Sequence, residues 1–187
     1  MHERILVLYT AGHGDAGRIA RRMAALLAAA GHAPSLVDVC TGCGERRPES
    51  YDGAIVCAPA PAGRHPGVVR RFLSAHRGAL DAMPCAIASI DANASTSEPP
   101  GSSDAWQHLH ELVCETGCHP WLAETLAGAV SGGAERSRLA WWPLRRAPAA
   151  SADARAAETD WAGVARFVDR FMAMLQRTAA RATRAAS

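Results

Sequence analysis

ILVLYTAGHGDAGRIA, from Ile5 to Ala20, joins an apolar run to a glycine-bearing turn and then to a segment with helical spacing. Ile5 to Thr10 is short and lacks polar alternation, which suits a strand buried on both faces. From Gly14 onward the pattern is helical to about Ala30, and Gly31 then ends the helix as a C-terminal glycine does. A strand, a tight turn and a helix in this order form the opening of a parallel α/β unit.

The same rhythm continues outward from that stretch. Ser35–Val39 reads as a second strand and Gly53–Ala58 as a third. The loop PAPAGRHPG follows from Pro59, and then a helix over Val68–Leu80 with Val69, Phe72, Leu73 and Leu80 on its apolar side. Cys85–Ile90 supplies a fourth strand, and Asp91–Ser103 is a polar loop. Asp104–Glu115 is a helix with Trp106, Leu109 and Val113 expected to face inward, and Thr125–Val130 is a fifth strand. Thr159-Asp160 can cap a final helix that runs through Phe167 and Phe171.

Strands alternating with helices predict the α/β class: a doubly wound, five-stranded parallel sheet in the order 2-1-3-4-5, with helices on both faces. In such sheets ligands sit beyond the carboxyl ends of the strands, where strand order reverses. The rule selects the loops after Thr10, after Ala58 and after Ile90.

Composition narrows the function classes. The 187 residues are expected to form a single domain over 1–187, and a net charge of +2 gives no reason for a nucleic-acid partner. No window is long and apolar enough for a membrane helix, and no secretory leader pattern is evident, so a cytoplasmic location is expected. All 20 basic residues are Arg. The absence of Lys excludes Schiff-base catalysis and a Walker-type phosphate loop. Cys40 and Cys43, and Cys114 and Cys118 beside His119, have spacings that can hold zinc or support thiol chemistry. In the expected fold, however, the two pairs fall on opposite rims of the sheet.

The first loop, Thr10, Ala11, Gly12, His13, Gly14, Asp15 and Ala16, offers a hydroxyl, flexible glycines and the free amides of a helix start, which together suit a phosphate. Asp15 argues against this, because a carboxylate at the same helix end competes for the same donors. In the alternative reading Asp15 caps the helix and the loop binds nothing. His13 and His65 can exchange protons near neutral pH, or can be ordinary loop histidines. No residue stands out as an indispensable catalytic acid or base.

Three blocks carry a resemblance. YDGAIVCAPAPAGRHPGVVRRFLSAHRGALDAMPCAIASID begins at Tyr51, LAGAV spans Leu126–Val130, and TDWAGVARFVDRF begins at Thr159. In these blocks the chain resembles the menaquinone-dependent protoporphyrinogen dehydrogenase family, flavodoxin-fold proteins that use FMN to oxidise a haem precursor. The resemblance implies a flavodoxin-like fold and an FMN laid across three loops. These are Thr10 to Ala16, then Pro59, Ala60, Pro61, Ala62 and Gly63, then Asp91, Ala92 and Asn93. It also implies a porphyrinogen substrate, whose propionates Arg64 or the arginines of an insertion would meet, and a quinone acceptor.

The insertion, about 131–158, lies before the last helix and contains RLAWWPLRR from Arg138. Its Trp141 and Trp142 suit either peripheral contact with the inner face of the cell membrane or packing back onto the domain. The cofactor loops depart from the family pattern. Ala16 stands where a second hydroxyl is expected, and no aromatic residue occurs between Pro59 and Gly63. A second reading therefore stays open: a flavodoxin-fold protein with a degenerate flavin site, acting as a non-enzymatic binding or accessory module.

Overall fold

In the computed structural model, residues 2–11, 14–41, 47–92, 94, 103–128 and 159–185 are described. Five parallel strands form one sheet, β1 (Arg4–Tyr9), β2 (Ala33–Asp38), β3 (Gly53–Pro59), β4 (Cys85–Asp91) and β5 (Leu122–Ala127), in the order β2-β1-β3-β4-β5. The helices are α1 (Ala16–Ala29), α2 (Gly67–Asp81), α3 (Asp104–Thr116) and α4 (Trp161–Ala185). The order is the expected one, and the architecture is the flavodoxin-like fold.

Each face of the sheet has its own core. On one, Ile5, Val7, Ile55 and Ala88 pack with Ile19, Met23 and Leu27 of α1 and with Val164, Phe167 and Phe171 of α4. On the other, Leu6, Leu8, Val56 and Ile87 meet Val69, Phe72 and Leu73 of α2 and Leu109 and Leu112 of α3. Alternate strand residues thus point to opposite helix layers, which is why the central strands carry no polar alternation. β3 and β4 are buried along their whole length.

Three expectations shift. β5 begins at Leu122, three residues earlier than the apolar pattern suggests, because the Trp121 N–H donates to the Cys85 carbonyl (2.8 Å) and sets the register Ala86↔Leu122. That register brings Ala127 level with Asp91, the last residue of β4, so pairing ends there; Ala129 and Val130 lie outside the described residues. β2 starts two residues early for a related reason, with the Ala33 N–H bonded to the Glu3 carbonyl (2.9 Å). In α3 the buried stripe is Ala105, Leu109, Leu112 and Thr116. Trp106, one residue off that stripe, faces outward and stacks on His110 at 5.3 Å between ring centroids.

Candidate functional site

The three selected loops emerge together at the carboxyl edge of the sheet, after β1, β3 and β4. Thr10 leaves β1 with its side chain turned inward. It is 1 % exposed, and its hydroxyl has no hydrogen-bond partner among the described residues. A buried hydroxyl without a partner costs about 1–3 kcal/mol. The first amides of α1, at Ala16, Gly17 and Arg18, lie at the same rim and have no carbonyl one turn earlier within the helix. This end of the site therefore combines a buried hydroxyl with helix-start amides that have no acceptor within the helix, the chemistry that a phosphate satisfies.

Two carboxylates limit the anion site. Asp38, at the end of β2, accepts from the backbone N–H of Ala11 (3.2 Å) and of Cys40 (3.0 Å), so the Ala11 amide is already engaged. Asp15 occupies the N-cap position of α1, but its side chain does not cap the helix. Its carboxylate instead accepts from the Thr159 hydroxyl (2.6 Å) and from Arg18 (2.8 Å), and Arg18 lies over the Trp161 ring at 5.5 Å. Asp160, next in sequence to Thr159, caps α4 by accepting from the Gly163 N–H at 2.8 Å. Gly12 and His13 lie outside the described residues.

The second loop is tied down through its backbone. The Ala60 N–H donates to the Ile90 carbonyl (2.8 Å), and Ala62 and Gly63 follow with φ of 50° and 75°. Two left-handed residues in succession turn the chain sharply back toward His65. The His65 Nδ1–H donates to the Pro59 carbonyl (3.0 Å), and its Nε2 faces the Ser89 hydroxyl at 3.4 Å. Burial lowers the pKa of this ring to about 4, despite the hydrogen bond to Pro59, so it is neutral at physiological pH. His65 is thus a structural strut under the loop.

The third loop begins at Asp91, which is 2 % exposed and pairs with Nδ1 of His108 at 3.0 Å. His108 comes from α3, which sequence reasoning did not connect to the site. Its Nε2 points at Gly63, where an added Cβ would stand only 2.5 Å away. Ala92 is exposed beside it, and Asn93 lies outside the described residues. A cleft with room for a water-sized group opens here, lined by Gly63, Arg64, His65, Arg70, His108 and Glu111.

Cys40 lies beside the first loop, its N–H donating to the same Asp38 oxygen as that of Ala11. Burial and the neighbouring Asp38 carboxylate push the Cys40 thiol up, against thiolate formation, and Cys43 lies outside the described residues. Cys57 is buried against Met23 and its thiol is pushed up to about 12. No cluster of three or more His, Cys, Asp or Glu among the described residues could hold a metal. The insertion with Trp141 and Trp142 also lies outside the described residues, and no described helix is long and apolar enough to cross a membrane.

The family model described as "Flavodoxin domain" matches residues 6–132. Among solved structures, the fold is similar to a Streptococcus pneumoniae flavodoxin at 12% identity, covering 94% of this chain and 97% of that one, with a TM-score of 0.48. It is also similar to flavodoxin 1 from Bacillus cereus at 18% identity, covering 66% and 85%, TM-score 0.46. A Fusobacterium nucleatum flavodoxin solved with flavin mononucleotide bound is similar at 12% identity, covering 70% and 80%, TM-score 0.43. A comparison with curated protein sequences gives no match.

Proposed function

This chain belongs to the Flavodoxin domain family, and on that premise we propose that it is an FMN-dependent oxidoreductase. The observation that carries the reading is the buried, unpartnered hydroxyl of Thr10 at the start of the first loop. A phosphate oxygen accepting from Thr10 and from the first amides of α1 would remove the cost of that burial. When bound, FMN supplies the electron transfer through its isoalloxazine ring. The chain's part is to hold the phosphate at Thr10 and to offer the backbone of residues 59–63 and 91–92 to the ring.

The substrate class comes from the sequence resemblance. It is a porphyrinogen of the protoporphyrinogen IX type, with a quinone as electron acceptor. Arg64, exposed and lining the cleft, would meet a carboxylate group of such a substrate. Trp141 and Trp142 would bring the protein to the membrane surface where a quinone resides.

One observation favours the alternative, a binding or accessory module without flavin: the Asp15 carboxylate, 8 % exposed, stands at the helix end that a phosphate would use. The test is a visible absorption spectrum after incubation with excess FMN and removal of free flavin. A band near one equivalent supports the enzyme, with anaerobic porphyrinogen oxidation as the next assay. Protein that retains no flavin overturns the enzyme reading.

A further inference from the structure

A second cluster lies at the amino edge of the sheet, opposite the three loops, and the functional reading makes no use of it. Cys85 is the first residue of β4, Cys118 lies in the short turn between α3 and β5, and both are fully buried in the same core layer. Their thiols hydrogen-bond to each other. Three backbone bonds fix this approach: the Gly117 N–H donates to the Val113 carbonyl (3.0 Å), the His119 N–H to the Asp81 carboxylate (2.7 Å) and the Trp121 N–H to the Cys85 carbonyl (2.8 Å). Gly117 ends α3 in the left-handed conformation, at φ 62°. Cys118 beyond it is buried, whereas Cys114 is exposed on α3, so the sequence pair Cys114 and Cys118 is split and Cys118 has a different partner.

We propose that Cys85 and Cys118 form a dithiol–disulfide pair, a site of reversible oxidation by low-molecular-weight disulfides. Cys118 is the attacking residue, because it sits in a surface turn beside the exposed His119, whereas Cys85 belongs to a strand buried along its whole length. Local opening of the turn breaks the bonds at His119 and Trp121 and leaves the sheet paired. The Cys118 thiolate attacks one sulfur of the oxidant, whose S–S bond breaks, and one thiol leaves carrying the Cys118 proton. Sγ of Cys85 then attacks Sγ of Cys118, the mixed disulfide breaks, and the second thiol leaves with the Cys85 proton. The protein loses two electrons and two protons, and one external disulfide becomes two thiols.

The surroundings favour this order and this pair. The hydrogen bond to Cys118, then burial, push the Cys85 thiol well above its usual range, so Cys85 does not initiate the exchange. The first of these causes is removed once Cys118 carries the oxidant. Cys57 cannot compete, since it lies in the other core layer against Met23. Cys40 follows β2 at the carboxyl edge, the far rim of the sheet. The resulting bond would tie the start of β4 to the turn that precedes β5.

The test is oxidation of the folded 187-residue chain by glutathione disulfide, followed by alkylation and peptide mapping. Cleavage after Arg77, Glu98, Glu115 and Glu124 leaves Cys85 alone in Gly78–Glu98 and Cys118 alone in Thr116–Glu124. The proposal expects these two peptides joined, at a mass about 2 Da below their sum, and separated again by dithiothreitol. Oxidation in urea should instead give mixed pairings. Cys85 and Cys118 recovered as free thiols from the folded chain, or joined to other cysteines in the same mixture as in urea, overturn the assignment. In Cys118→Ser, Cys85 should remain a free thiol, and a Cys85 that is oxidised equally there also overturns it. The mapping needs no flavin, so a chain that retains none leaves this proposal standing, and failure of the pairing leaves the flavin reading untouched.

Discussion

The Thr159 hydroxyl donates to the Asp15 carboxylate at 2.6 Å, across 144 positions of sequence. The bond joins the residue before the cap of the last helix to the N-cap position of the first. It also decides between two roles for Asp15, because a carboxylate engaged by Thr159 and Arg18 does not cap α1. Thr159→Val leaves the buried acid short of a donor and is expected to destabilise the protein by about 1.5–3 kcal/mol. Urea denaturation at neutral pH measures this, and a change below about 0.5 kcal/mol would show that the other contacts of Asp15 satisfy it without Thr159.

Asp15→Asn should act in opposite directions on two observables. It weakens the Thr159 contact and so lowers stability. It also removes a negative charge from the amino end of α1, which favours a phosphate by about 1 kcal/mol, or roughly fivefold in FMN affinity. Flavin fluorescence titration of the variant beside the wild type reads the second effect, and weaker binding would place the phosphate elsewhere.

Thr10→Val separates a binding role from a structural one. The hydroxyl has no partner within the described protein, so replacing it with a methyl group of similar shape is expected to leave the flavin-free protein as stable or slightly more so. The same change removes a donor to the phosphate and should weaken FMN by about 1 kcal/mol. A large loss of stability in the free protein would contradict the geometry.

Gly63→Ala combines two penalties. A φ of 75° disfavours any side chain, and the new Cβ would meet the His108 ring, which Asp91 holds in place. A loss of about 1–2 kcal/mol is expected from the backbone alone. In a His108→Ala background the remaining penalty should shrink to that backbone part, a coupling that a double-mutant denaturation cycle measures.

Acid stability should report His65. The unfolded imidazole titrates near 6.5 and the buried one at about 4, so between these values the unfolded chain binds more protons than the folded one. Stability therefore falls as pH is lowered through that window, by roughly 3 kcal/mol once both states are protonated. Replacing His65 with Gln should flatten the dependence of unfolding free energy on pH between 6.5 and 4. A slope equal to that of the wild type would assign the effect to other groups.

The fold was legible wherever a strand is buried on both sides. Ile5–Leu8, Gly53–Ala58 and Cys85–Ile90 are continuous apolar runs because helices cover both faces of β1, β3 and β4. β5 was harder, since an edge strand carries mixed residues and its register is fixed by a backbone bond from Trp121 to Cys85. Trp106 shares helical spacing with Leu109 and Val113, but the stripe that α3 buries runs through Ala105, Leu109, Leu112 and Thr116, one residue away. At the site, the rule for parallel sheets picks out the three loops, which leave β1, β3 and β4. The side chains that complete them come from 17 to 144 positions away: His108 onto Asp91, Asp38 onto Ala11 and Thr159 onto Asp15. No local spacing marks such partners. The nearest signal was Gly63, a glycine whose space another residue needed.

The pairing of α1 with α4 has a consequence for how the chain is made. Ile5, Val7 and Ile55 are covered on one face partly by Val164, Phe167 and Phe171, which follow them by more than a hundred positions. During synthesis that face of the sheet stays open to water until the ribosome has also passed the stretch from 129 to 158 and released α4. Nascent chains shorter than this present an uncovered apolar surface beside paired strands, the condition under which polypeptides clump or recruit chaperones. Ribosome-stalled chains ending at residue 158 should therefore be captured by a holdase, whereas chains stalled after α4 has cleared the exit tunnel should escape it.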